Sequence, residues 1–277
     1  MRGRRSFLVI AAAAIVVASI GADSASAAPQ LPSAMASVGD SITRAYNTGP
    51  SAYVDYPANS WSTGTSTTVN SHYTRLLAKG AAITGKNYND AVSGAKMADL
   101  NGQMAVVNTQ GVGYVTVLVG GNDVCTSSES TMTSVAAFAA QFRTAMTTLS
   151  TGSASALVYV VSIPDVYNLW SVLKGNGSAR FVWAIFGICQ SMLARPLSTA
   201  SADVERRAHV RQRNIDFNTQ LKTICAEFTA TCRYDQNAVF NTKFTTADVS
   251  TRDYFHPSVA GQAKLAAASW TAGYWGP

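Results

Sequence analysis

Residues 34–43 read Ala-Met-Ala-Ser-Val-Gly-Asp-Ser-Ile-Thr, a small apolar run that breaks at Gly39 and delivers the chain to Asp40, Ser41 and Ile42. Taken as a strand over Ala34–Val38, it places Ser41 on a turn at the strand's carboxyl end. Four further runs have strand character: Asn87–Val92, Tyr114–Val119, Ala156–Ile163 and Thr231–Tyr234. Val115 to Val119 is apolar or β-branched throughout, which fits a strand covered on both faces. Between the strands, Val135, Phe138, Phe142, Met146 and Leu149 recur at helical spacing, with Gly152 placed to end that helix. Phe217, Leu221, Ile224 and Phe228 mark another helix. Val259, Ala263, Ala266 and Trp270 mark the last one, with Pro257 expected at its first position. Strands alternating with helices predict an α/β fold, a three-layer α/β/α sandwich with a central parallel sheet. Such folds bind ligands beyond the carboxyl ends of their strands.

The other strand exits carry residues of the same chemical interest. The second leads into Ala91-Val92-Ser93-Gly94-Ala95 and the third into Gly120-Gly121-Asn122-Asp123, while Asp253-Tyr254-Phe255-His256-Pro257 stands just before the last helix. A serine hydroxyl is a weak nucleophile until a neighbouring base takes its proton, and His256 is the best placed of three histidines to do so for Ser41. Asp253 can hold the other ring nitrogen and stabilise the imidazolium as it forms. Taken singly, each of these residues could be an ordinary turn or cap residue; their joint order along the chain is what points to catalysis. Asp40 and Asp123 are expected to tie down local backbone N–H groups.

These four blocks, in this order, resemble the GDSL or SGNH hydrolase superfamily over nearly the whole chain beyond residue 27. The resemblance implies ester hydrolysis at the strand ends, with the backbone N–H groups of Ser41 and Gly94 and the side-chain amide of Asn122 as the oxyanion donors. It also leaves open whether Asp253 or a backbone carbonyl orients His256. The G-x-S-x-G elbow of the common α/β-hydrolases is absent.

Met35 to Arg44, Ser60-Trp61-Ser62-Thr63-Gly64 and Asn89 to Met97 further resemble secreted actinobacterial lipases and phospholipases, including the A1 type. Residues 167–188 carry Tyr167, Leu169, Trp170, Val172, Leu173, Phe181, Val182, Trp183, Ile185, Phe186 and Ile188. A segment apolar on nearly every helical face must be buried or meet something apolar. It reads either as an acyl-chain wall or lipid-facing flap within an insertion over 166–210, or as an insertion packed on the core and pinned through Cys189. Arg44 could meet a phosphate or make a local ion pair. The alternatives to a lipid substrate are a carbohydrate acetylesterase, a short-chain esterase of the same fold and, in another class, a non-catalytic binding module.

At the amino end, Met-Arg-Gly-Arg-Arg precedes an apolar run from Phe7 to Ile20 and small residues through Ala25-Ser26-Ala27, the pattern of a signal peptide spanning residues 1–27. Paired Arg4 and Arg5 leave the export route open between twin-arginine and general secretion. Cleavage there would remove three arginines and Asp23 and lower the net charge from +6 to +4. Charged residues make up 13% of the sequence and hydrophobic ones 47%, enough for one sizeable core. With no Lys/Arg block, nucleic acid is not an expected partner. The expected partners are a lipid or phospholipid substrate and a transient membrane or micelle surface, with the chain itself a secreted monomer.

Four cysteines in an exported chain predict two disulfides. Cys225 and Cys232 are close enough to join a helix end to the next strand, which leaves Cys125 with Cys189. No C-x-x-C pair is present and the histidines number three, so neither a metal nor an organic cofactor is expected. His72, in a helix's first turn, and His209, among arginines, are expected to be structural or solvent-facing.

Overall fold

The computed structural model describes residue 3 and residues 28–229 and 231–276; the expected signal peptide lies outside the described residues apart from Gly3. Among the described residues no helix is long and apolar enough to cross a membrane. In chain order the elements are β1 (Met35–Gly39), α1 (His72–Ala78), β2 (Asn87–Asn89), α2 (Leu100–Val107), β3 (Tyr114–Leu118), α3 (Gly121–Val124), α4 (Val135–Gly152) and β4 (Leu157–Val160). They continue with α5 (Val166–Leu173), α6 (Gly177–Ile185), α7 (Gln190–Leu193), α8 (Ser201–Cys225), β5 (Cys232–Tyr234), α9 (Ala238–Asn241) and α10 (Val259–Ala272). The strands form one sheet in the order β2-β1-β3-β4-β5, and each pairing is parallel.

Alternation along the strands builds the two outer layers. Ala36, Val38, Val115, Val117, Val158 and Val160 face a core shared with α2, α4 and α8, where the rings of Phe138 and Phe217 stack at 4.0 Å. Met35, Tyr114, Leu118 and Tyr159 point the other way, onto Leu76 of α1 and Leu265, Ala266 and Trp270 of α10. The sheet is therefore covered on both faces, the three-layer α/β/α arrangement that the run of β-branched residues in β3 predicts.

Two helices depart from their expected bounds. The apolar spacing marks α8 only around Phe217, Leu221 and Ile224, yet it begins at Ser201. Its first turns bury polar groups instead: Asp203 is paired with Arg195 and Arg206, and the buried Arg207 donates to the Ser198 carbonyl at 2.7 Å. A hydrophobic pattern cannot report such burial. Phe228 falls in a separate 3-10 turn beyond the helix. In α10 the cap is Ser258, whose Oγ accepts the Gly261 N–H at 3.2 Å, so Pro257 precedes the cap rather than opening the helix. The disulfides pair Cys225 with Cys232 and Cys125 with Cys189.

Candidate active site

Gly39 ends β1 at φ +141°, and a Cβ built there would stand 2.0 Å from the carbonyl oxygen of Leu118 in the adjacent strand. The glycine thus lets the chain turn sharply against β3. The Gln103 side chain clips this point, accepting the Gly39 N–H at 2.7 Å and donating to its carbonyl at 2.9 Å. The following turn is fixed by Asp40, whose Oδ1 accepts the Ile42 N–H at 2.9 Å, and by Gln262 of α10, which donates to the Ile42 carbonyl at 2.7 Å. Ser41 is held between these anchors at the carboxyl edge of the sheet.

His256 reaches Ser41 from the other end of the chain. Its loop is pinned by the Ser250 N–H, which donates to the His256 carbonyl at 2.8 Å, and by a bridge between Val249 and Pro257. The His256 Nε2 lies 2.8 Å from Ser41 Oγ and its Nδ1 lies 2.6 Å from Asp253 Oδ2. Asp253 also accepts the backbone N–H groups of Phe255 and His256 and the Asn47 amide. Burial alone would raise its carboxyl, but the His256 hydrogen bond and charge and these N–H donors outweigh it and hold the group below the ordinary carboxylate value. A hydroxyl, an imidazole and an ionised carboxylate in line at these distances can generate a serine nucleophile and stabilise the imidazolium that results.

Asn122, in α3, donates through Nδ2 to the Ala95 carbonyl at 2.9 Å. That bond uses one of two N–H groups, and the residue borders the same cavity as Ser41 and His256. Gly94 lies beside this anchor at φ +87°, but it borders the neighbouring open depression with Arg44 and Asp55 rather than the Ser41 cavity. Within the described residues the backbone N–H groups of Ser41 and Gly94 have no acceptor. The Ser41 cavity continues as an apolar slot walled by Ile163, Val166, Leu169, Val172, Phe244 and Phe255.

A family model of GDSL-like lipases and acylhydrolases matches residues 35–269, from the first strand into the last helix. The chain belongs to this GDSL-like lipase/acylhydrolase family. Membership makes it an ester hydrolase. No curated protein matches it. Among solved structures it is similar to a protein assigned as a GDSL-like lipase from Parabacteroides merdae, with TM-score 0.52 and 16% identity over 86% of this chain and 94% of that one. The extracellular lipase of Streptomyces rimosus aligns with TM-score 0.48 and 16% identity, over 83% and 94% of the two chains. The phospholipase A1 of Streptomyces albidoflavus NA297 gives 0.47 and 17% over the same shares.

In this GDSL-like hydrolase two residues beside the site carry only a weak signal in the sequence. Asn47 donates to Asp253 Oδ2 at 2.6 Å from a left-handed conformation, φ +65°, which asparagine tolerates better than most residues. Tyr46 packs its ring 4.8 Å from that of His256. A turn of asparagine and tyrosine after the nucleophile was the only hint available. Arg44 makes the local ion pair, its Nε 3.0 Å from Asp55. His72 is buried, bonded to Tyr114 and Ser269, and burial pulls its pKa down to about 3, with Arg75 adding to the effect. His209 is exposed beside Glu129. Asp123 accepts the Met97 N–H and the Thr133 hydroxyl, a tie between loops.

Asp40 has an unusual protonation. Burial pushes its carboxyl up to about 6, although the Ile42 N–H and His256 pull it down, while Asp123 pushes it further up. A carboxyl that binds its proton more tightly folded than unfolded stabilises the fold fully below about pH 4, and this contribution is lost as pH rises through about 6. Asp40→Asn stays neutral and can keep the Ile42 bond. Its urea-unfolding free energy relative to wild type is expected to grow by roughly 2 kcal/mol between about pH 4 and 7; a constant difference would show that Asp40 titrates normally.

Proposed function

We propose that this chain is a secreted lipase or phospholipase of A1 type, cleaving fatty-acyl esters through an acyl-enzyme on Ser41. Ser41 Oγ attacks the ester carbonyl while His256 Nε2 takes its proton, and Asp253 holds the ring and stabilises its charge. The N–H groups of Ser41 and Gly94 and the second Asn122 amide N–H receive the oxyanion. His256 returns the proton to the departing alcohol or lysolipid, and water then repeats the sequence on the acyl-enzyme. The two disulfides support an oxidising destination.

The apolar slot beside Ser41 carries the choice of substrate. Each methylene buried there contributes about 0.8 kcal/mol, so a fatty chain gains binding that an acetyl group on a sugar cannot. Filling the slot with Leu169→Trp is expected to lower the ratio of dodecanoyl to butyryl ester turnover by at least about tenfold, measured with chromogenic esters. An unchanged ratio would place the acyl chain elsewhere. With a phospholipid bearing two different chains, mass spectrometry is expected to find the sn-1 chain released; release of an acetyl ester alone would favour the carbohydrate acetylesterase reading.

A further inference from the structure

Helix α6 divides its apolar residues between two surfaces. Ala179 and Trp183 are buried, and the Trp183 indole N–H donates to the Tyr254 carbonyl at 3.0 Å, tying the helix to the loop that carries His256. Phe181, Ile185 and the adjoining Phe186 are more than 60% exposed. Tyr53, itself half exposed, stands with its ring 6.3 Å from that of Phe186. Together Tyr53 and Phe186 flank a groove that leads to Asn122, Asp253 and His256. An exposed aromatic and aliphatic patch at the mouth of a site marks a place of contact.

The surrounding charge specifies the partner. Residues 166–202 contain Lys174, Arg180 and Arg195 and neither aspartate nor glutamate. Arg195 is neutralised by Asp203. Among the described residues Lys174 and Arg180 pair with no carboxylate: the Lys174 ammonium stands over the Trp170 ring and the Arg180 guanidinium donates to the Lys174 carbonyl. Arg252, whose carbonyl accepts the Tyr53 hydroxyl, likewise donates to backbone oxygens of Pro50 and Ser51. An apolar ridge among cations without counter-ions is complementary to apolar acyl chains beneath an anionic headgroup layer.

We infer that the outer face of α6, with Tyr53 and Phe186, docks this enzyme on an anionic lipid surface and sets its groove against that surface. The inference rests on the lipid reading of the site, which it makes specific to one face. The ridge enters the headgroup boundary, Lys174 and Arg180 meet the anionic groups, and a lipid passes into the groove without crossing open water.

The test uses the full chain with Ser41→Ala, so that vesicles stay intact, and measures co-sedimentation with phosphatidylglycerol and with phosphatidylcholine vesicles. Binding is expected to favour phosphatidylglycerol and to weaken in high salt. Phe181→Ser/Ile185→Ser is expected to reduce it by at least about tenfold, and Lys174→Gln/Arg180→Gln by about tenfold on the anionic vesicles. With Ser41 restored, Phe181→Ser/Ile185→Ser should hydrolyse a soluble butyryl ester within twofold of wild type and vesicle-borne lipid at least about tenfold more slowly. Vesicle binding unchanged in both double variants would overturn the docking face while leaving the ester chemistry standing. So would a wild-type dimer that Phe181→Ser/Ile185→Ser dissociates and that ignores vesicles, since the ridge would then be covered by a second copy. Loss of ester hydrolysis by the restored wild type would instead strike the functional reading alone, because sedimentation does not depend on turnover.

Discussion

Ser41→Ala is expected to lower kcat toward a chromogenic fatty-acyl ester by about 10⁶, with the fold intact and labelling by a fluorophosphonate abolished. The serine hydroxyl is the atom that His256 Nε2 meets at 2.8 Å, and no other hydroxyl is placed between that ring and Asn122 in the described cavity. Without it the proposed oxyanion donors would have no covalent step to assist. What remains is their direct effect on attack by water. A methyl group in place of the hydroxymethyl group removes one hydrogen bond at a buried turn, and the anchors from Asp40, Gln103 and Gln262 persist, so the thermal unfolding midpoint should move little. Turnover within about tenfold of wild type would remove Ser41 from the mechanism.

Asp253→Asn is expected to cost about 10⁴ in kcat with a much smaller change in KM. Asparagine can keep one oxygen toward the Phe255 and His256 backbone N–H groups, in the place of Asp253 Oδ1. Its NH₂ then replaces Oδ2 opposite both His256 Nδ1 and the Asn47 amide. Donor would face donor at both contacts. The imidazole can relieve the first clash by moving its proton to Nε2, but that nitrogen then has no lone pair for the Ser41 proton. A fall of less than tenfold would mean that a carbonyl, not this carboxylate, orients the ring. Determining the histidine tautomer by ¹⁵N NMR would separate the two outcomes, since the mechanism requires the neutral ring to be protonated at Nδ1 in the wild type.

Much of the site was legible because it is built from strand exits. Gly39 and Gly120 stand where a parallel strand must turn, each two residues before a residue proposed for the chemistry, Ser41 and Asn122, and Gly94 lies in the loop after the second strand. The D-x-x-H spacing was similarly local, since a carboxylate three residues before a histidine can reach its backbone N–H and its ring in one turn. Other features were opaque for a common reason. Asn47 contacts Asp253 across 206 residues, and its role exists only once two loops meet. The first turns of α8 bury aspartate and arginine through specific partners, which an apolar periodicity cannot register.

The chain's own order of residues therefore determined the parallel sheet, the cysteine pairing that follows from short separation, and the three residues proposed as nucleophile, base and acid, which the fold brings within hydrogen-bond reach of one another. These depend on short-range rules: strand alternation, turn glycines, caps and the few residue types able to do acyl transfer. Tertiary structure alone decided which residues of the largely apolar stretch from Tyr167 to Ile188 are buried. Its sequence is apolar on nearly every helical face, so it allowed both burial and exposure. Neighbours settled the matter by covering Trp170, Leu173, Ala179 and Trp183 and leaving Phe181, Ile185 and Phe186 to solvent. Likewise the Asp40 carboxyl, ordinary as a residue in a turn, owes its high pKa to the burial imposed by the surrounding layers. Which face is covered and which charge is desolvated are properties of packing, and packing brings together residues that the sequence holds far apart.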